Sequence, residues 1–359
     1  MGPYLSGKTS LLESILLVTG KIQRLGKVAD GSTVGDSSQE SRERGMGVEL
    51  NVATTDFMDL TFTILDCPGS VEFAQESADA LVGADAVVVV CEPEPEKAAA
   101  LQPILKRLDD LELPRVLFVN KIERASGRVR DLLEALQATS SLPLVLRQVP
   151  IRDGETITGY VDLASERAYV YKPGKVSERI ELPADMSERK SEARYEMLEK
   201  LADFDDKLME ELLEDVDPPQ DEVFDQLSKD FAAGLVVPVL LGSAEQVNGI
   251  HRLLKALRHE APPAAAAAKR RGLDEDGETV AQVLKTYHTA RGGKLSMARI
   301  WRGALADGAH LNGERVSGLF RMLGLQTEKV HEAGAGDIVG LGRLESVRTG
   351  DTLTPGKDS

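Results

Sequence analysis

Short apolar runs separated by amphipathic helical periods fill the first 150 residues. The runs at 60–65, 86–91, 115–120 and 142–149 are rich in Val, Ile and Leu and have strand length. Between them, apolar residues recur at helical spacing over 71–81, 97–108 and 128–136, and Leu11, Leu12, Ile15 and Leu16 mark one more helix near the start. Such alternation predicts a parallel sheet with helices on both faces, whose functional loops fall at the carboxyl ends of the strands.

The rhythm breaks near residue 151. Residues 157–171 alternate like an antiparallel ribbon, and 188–215 read as a long acidic helical stretch ended by Pro218-Pro219. A helix over 221–231 leads into a buried-looking strand at 236–241 and a closing helix at 250–257. Pro262-Pro263, an alanine run, Lys269-Arg270-Arg271 and the acidic tract 274–278 have linker composition. From Thr279 onward, short strands punctuated by Gly303, Gly308, Gly313, Gly334, Gly336 and Gly350 predict a small β-barrel. The predicted fold class is therefore α/β. A P-loop domain (1–150 and 236–262) carries an α+β inserted subdomain (151–235), and a linker (263–278) joins it to a small antiparallel β-barrel (279–359).

Length fits this division, since 359 residues exceed one ordinary core. No apolar run approaches the roughly 20 residues of a spanning helix, and no signal-peptide pattern is present. Cys67 and Cys91 offer no disulfide framework, so a cytoplasmic setting is expected. A net charge of −16 argues against a general nucleic-acid coat protein and against DNA as a partner, while leaving room for RNA docking through a local basic patch. The Lys269–Arg271 cluster reads as solvated linker, and Cys67 as structural rather than redox-sensing. A monomer is the expectation.

Candidate chemistry enters with Gly2-Pro3-Tyr4-Leu5-Ser6-Gly7-Lys8-Thr9, which has the form G-x-x-x-x-G-K-T. Glycines permit a tight turn whose N–H groups point at a polyphosphate. Lys8 reaches the β- and γ-phosphates, the Thr9 hydroxyl ligates Mg²⁺, and the following helix presents its positive end. The strand that should feed this loop is missing, since only Met1 precedes Gly2, and the expectation is that the numbering omits a leader. Three further loops end apolar strands: Asp66-Cys67-Pro68-Gly69, Asn120-Lys121-Ile122-Glu123 and Ser243-Ala244.

On these motifs the chain resembles the translational GTPases, most closely elongation factor G or one of its paralogues. Glu43-Arg44-Gly45 before an apolar strand, and Asp66–Gly69 followed by Val71-Glu72-Phe73, resemble that family's two switches. Asp205-Asp206-Lys207-Leu208-Met209 resembles its inserted subdomain. Ala335-Gly336-Asp337-Ile338 and Thr349-Gly350-Asp351-Thr352-Leu353 resemble its second domain. The resemblance covers the chain but not the family's three C-terminal domains. It implies GTP and GDP as ligands, Mg²⁺ as cofactor, the ribosome as partner, and hydrolysis of GTP to GDP and phosphate. The implied nucleotide set is Gly2, Leu5, Ser6, Gly7, Lys8, Thr9, Ser10, Asp66, Gly69, Asn120, Lys121, Glu123, Ser243 and Ala244. Within it Thr9 and Asp66 serve the metal, and the backbone at Ser243-Ala244 receives the guanine O6.

Three departures from the family pattern bear on activity. Gly47 stands where a switch threonine would offer Mg²⁺ a hydroxyl, leaving Gly45 and Gly47 as the switch positions. Ser70 stands where a histidine would position the attacking water, and no histidine precedes His251. Glu123 replaces the guanine-reading aspartate and is one methylene longer. With Lys8, Gly69 and Ser70 as the catalytic set, the expected intrinsic rate is very low. The alternative reading is a GTP-gated ribosome-binding module with little or no hydrolysis. An ATPase or small-molecule kinase is disfavoured, because Glu123 would face adenine N1, an acceptor.

Overall fold

The computed structural model describes residues 1–36, 38–288 and 293–356; the parts of the expected barrel at 289–292 and 357–359 lie outside the described residues. The chain forms two compact units, Met1–Gln23 with Ala86–Ala261, and Arg24–Asp85 with Pro262–Ser359. Each is described by itself.

The first unit is built on a four-stranded parallel sheet. Its strands run in the order Val87–Cys91, Arg115–Val119, Val237–Leu241 and Leu144–Leu146. The central two are buried at every residue, which is why they read as unbroken apolar runs rather than alternating ones. Helix Lys8–Val18 buries Leu11, Leu12, Ile15 and Leu16, and packs against helix Ile250–Glu260. The helical period at 97–108 is composite, a 3₁₀ turn, Pro95–Leu101, leading into the α-helix Gln102–Asp110.

The run 142–149, read as one strand, is two. Leu144–Leu146 lies in the parallel sheet, and Gln148–Asp153 begins a separate antiparallel sheet with Thr156–Asp162, Arg167–Val170 and Glu178–Ile180. Arg147 is the joint. Its N–H donates to Val239 O at 3.0 Å, while its guanidinium, wholly buried, forks onto the Glu260 carboxylate at 2.5 and 3.1 Å. A second buried pair, Asp162–Arg252 at 2.5 Å, lies beside it. Burial opposes ionisation of Asp162, but the Arg252 and Arg147 charges outweigh it and hold its carboxyl below the ordinary range. The acidic stretch 188–215 is likewise two helices, Ser187–Ala202 and Asp206–Leu213, because Asp205 caps the second by accepting from Leu208 N at 3.0 Å. With Gln220–Ala232, they close an apolar core around Val161, Leu163, Leu198, Leu201, Val223 and Leu227.

The second unit is dominated by antiparallel strands. The run at 60–65 is a strand, Leu60–Asp66, but it does not join the parallel sheet: it forms a hairpin with Asn51–Phe57. That hairpin continues an eight-stranded sheet through Ala53 opposite Leu323. Strands Leu319–Leu323, Ile338–Gly342, Lys294–Arg302 and Val280–His288 follow, over a core that includes Val283, Ile300, Leu319 and Leu341. The helical period at 71–81 belongs to this unit and is composite too, a 3₁₀ turn, Val71–Phe73, preceding the α-helix Ala74–Val82. The segment read as linker contains the helix Ala264–Arg270, whose Ala267 and Ala268 pack on Trp301. Arg271, read as solvated, lies over the Trp301 ring at 5.0 Å, and Arg270 donates to Asp85 O at 3.1 Å. Alanines supply helix propensity as well as linker-like blandness, and Trp301 gives that helix a face to bury.

Candidate nucleotide-binding site

Three loops meet at the carboxyl ends of the parallel strands. Met1 runs beside Val87–Cys91, its amino group on Val88 O and its carbonyl accepting from Val90 N, both at 2.8 Å. Gly2 to Gly7 therefore turn at the end of that strand. A Cβ on Gly2 would strike Val90 O, and one on Gly7, whose φ is +90°, would strike the Asn120 amide. Both glycines are required by close approach as well as by turning. Gly7 opens helix Lys8–Val18, so its first N–H groups face the loop. Lys8 Nζ donates to Pro3 O at 2.9 Å, folding back across the same loop.

Asn120 holds the three loops together. It is buried, donating through Nδ2 to Ser6 O and accepting at Oδ1 from Ala244 N, each at 2.9 Å. The Ala244 N–H, expected from sequence to meet the guanine O6, is thus engaged with Asn120 here. Ser14 Oγ donates to Ala244 O, tying the same loop to the first helix. Lys121 adds a second clamp, with its Nζ 2.7 Å from Leu5 O and 2.6 Å from Glu92 Oε1. Leu5 and Lys121 both have left-handed backbones, φ 64° and 58°, a cost of about 1–3 kcal/mol per residue that such a cross-link helps to sustain.

Glu92 was not singled out by sequence; its only signal is that it directly follows a strand end. Burial works against its charge, yet hydrogen bonds from Lys121 and Lys97 prevail and hold its carboxyl below the usual range. Beside it, burial and the Glu92 charge push the Cys91 thiol up to about 12, so Cys91 stays protonated and inert at neutral pH. Glu123 follows in the loop, where Ile122 N donates to Gly242 O at 3.1 Å. One Glu123 carboxylate oxygen is buried without a hydrogen-bond partner, a costly state unless a donor arrives from a ligand. Thr9 and Ser10 sit half-buried in the first helical turn, and Ser243 is buried in a tight pairing with Asn248.

This loop set corresponds to a known family. The model for the elongation factor Tu GTP binding domain matches residues 1–263, and that for elongation factor G domain 2 matches 278–356. The chain belongs to the translational GTPases of the elongation factor G type. An elongation factor G-like protein of Synechocystis sp. is 49% identical over 356 residues, which is 99% of this chain and 53% of that protein. A crystal structure from Thermus thermophilus superposes with a TM-score of 0.89 at 29% identity, covering all of this chain and 54% of the other. The chain thus spans about half the length of these relatives. Among the described residues no helix is long and apolar enough to cross a membrane.

The positions expected from sequence to form the switches lie in the second unit. Gly45, at φ +62°, ends the helix Gln39–Arg44, its N–H turning back to Ser41 O and Arg42 O. Gly47 has open space where a side chain would stand. Asp66 ends its strand, Gly69 and Ser70 are half-buried, and the Ser70 carbonyl accepts from Phe73 N at 3.1 Å. Contacts that the motifs did not announce tie this region together. Glu76 accepts from Leu50 N at 3.0 Å and pairs with Lys285, which also reaches Glu49 at 3.4 Å. Tyr287 donates to Leu50 O at 2.7 Å, and the Arg44 guanidinium lies 5.9 Å from the Phe73 ring centre.

Proposed function

We propose that this chain binds GDP and GTP with Mg²⁺, and hydrolyses GTP slowly as the nucleotide-handling part of a factor that acts on the ribosome. The observation that carries the reading is the Asn120 bridge, which locks the phosphate loop to both base-reading loops through buried bonds to Ser6 and Ala244. On this reading Lys8 leaves Pro3 O for phosphate oxygens, and the unpartnered Glu123 oxygen accepts from the guanine edge. Ala244 N–H is shared between Asn120 and the base.

The residues present fit the metal in a restricted way. Among the described residues no group of three or more His, Cys, Asp or Glu side chains could hold an ion. Magnesium would therefore take most of its oxygens from phosphate and water, with the Thr9 hydroxyl from the loop and Asp66 assigned by resemblance. Once bound it neutralises charge on the transferring phosphoryl group. The chain's own contribution is positioning, and Ser70 is a neutral hydroxyl where an imidazole would orient water, hence the slow rate. The test is calorimetric titration with GDP, GTP, ADP and ATP. Guanine nucleotides should bind up to about 10⁴-fold tighter, because a polar edge rejects its mismatch; comparable affinity for ATP would remove the reading.

A further inference from the structure

The Glu92 carboxylate sits where the phosphate loop and a base-reading loop are fastened together. Glu92 directly follows the strand Val87–Cys91, and Pro93 comes next. A residue before proline is confined to extended backbone, so the side chain starts from a fixed place. Each carboxylate oxygen has its own cation: Oε1 accepts from Lys121 Nζ at 2.6 Å, and Oε2 from Lys97 Nζ at 2.8 Å. Lys121 uses a second donor on Leu5 O at 2.7 Å. On the way its stem passes beside Gly7, where an added Cβ would lie 3.9 Å from Lys121 Cε. The lysine is a strap across the phosphate loop, and Glu92 ties down its far end.

What the strap holds is a weak point of the loop. Leu5 has a left-handed backbone and is 63% exposed, so packing does not keep it in that conformation. The Lys121 and Glu92 side chains are 14% and 13% exposed, so their charges meet in a partly desolvated place, whereas Lys97 is 52% exposed. Without Glu92 the Lys121 ammonium loses its counter-charge where water reaches poorly, and turning toward solvent would release Leu5. We infer that Glu92 is a positioning residue of the nucleotide site, acting through Lys121 to keep the phosphate loop in its binding shape before nucleotide arrives. This rests on the guanine-nucleotide reading above. A loop that holds its shape only part of the time binds with affinity reduced by that fraction. The reduction falls on association, because in the complex the nucleotide itself holds the loop.

The inference is tested on the whole 359-residue chain by stopped-flow binding of methylanthraniloyl-labelled GDP and ADP to wild type, Glu92→Ala, Lys121→Ala and the double variant. Glu92→Ala should slow GDP association about 5- to 30-fold, the scale of one charge-assisted hydrogen bond that keeps some solvent. Dissociation should change by less than about twofold, which is diagnostic because most binding variants act on dissociation. In the Lys121→Ala background the Glu92 change should alter association by less than about twofold, since the strap is already gone. Association within about twofold of wild type would mean an idle ion pair. A loss carried by dissociation would mean that Glu92 serves the complex, and losses that multiply in the double variant would mean that it does not act through Lys121. Each of these overturns the inference. If Glu92→Ala fails to fold, Glu92→Gln keeps the shape and one acceptor without the charge, and should still slow association at least about threefold; an unchanged rate overturns the inference equally. A wild type that binds GDP no better than ADP defeats the guanine reading alone, because the association comparison holds for any diphosphate, and one that binds neither defeats both.

Discussion

Asn120→Ala removes a side chain that joins the three candidate nucleotide loops, and its cost can be worked from the bonds it breaks. The amide is 2% exposed, and both partners, Ser6 and Ala244, are buried. Truncation leaves a carbonyl and an N–H without partners, about 1–3 kcal/mol each, or about 2–6 kcal/mol together. The space vacated by a carboxamide is large enough to admit a water molecule, which can serve one of the two groups and pulls the expectation to about 2–4 kcal/mol. The same bonds fix the loops before nucleotide arrives, so GDP affinity should fall by about 30-fold or more. Nucleotide-free thermal unfolding followed by circular dichroism reads the first quantity, and calorimetry with GDP the second. A loss below about 0.5 kcal/mol with GDP affinity within about threefold of wild type would refute the bridge as the organiser of the site.

Acid should unfold the first unit partly through Asp162. Its folded carboxyl titrates below the ordinary 3.8, so its contribution is complete above that range and is lost as pH falls through the lower, folded value. Asp162→Asn should therefore melt lower than wild type at neutral pH and lose less on descent to about pH 3; parallel curves would show that the Arg252 and Arg147 charges do not stabilise it. Ser70→His should raise ribosome-stimulated GTP turnover at least several-fold in the full-length protein, and at most by the roughly 10²–10⁴ of a missing general base. A wild type that already hydrolyses as fast as the variant would show that Ser70 is not the weak point.

The sequence made the loops legible because their chemistry is local. A glycine that must turn beneath phosphate, or an asparagine at a strand end, is constrained by atoms a few residues away or by the ligand itself. Partnership was less legible. The run at 60–65 announced a strand but was assigned to the wrong sheet, because alternation fixes a face and says nothing of the neighbour; Ala53 opposite Leu323 is the pairing that decides it. Likewise Arg147 sat unnoticed inside an apolar run. A charge in such a run signals a break, and the break became intelligible only when Glu260, from a distant helix, supplied the counter-charge. Alanine-rich composition suggested a linker at 264–270, where Trp301 provides the surface that makes a helix worthwhile.

The residues that departed from the family pattern show why a motif reading stops short. Glu123 was legible as a longer aspartate, and the lengthening by itself suggests only a looser fit. In the folded chain one carboxylate oxygen is buried without a hydrogen-bond partner while the other faces Arg124 at 3.8 Å, in a loop whose backbone is held by Arg152. Arg152 belongs to no nucleotide motif and comes from the inserted subdomain. A substitution that weakens geometry at one position can persist when a neighbour limits the added freedom, because the entropy of one torsion is small beside a charged hydrogen bond. The inserted ribbon therefore does more than extend the first unit: through Arg152 and Gly174 it grips the loops just past Glu123 and Ala244.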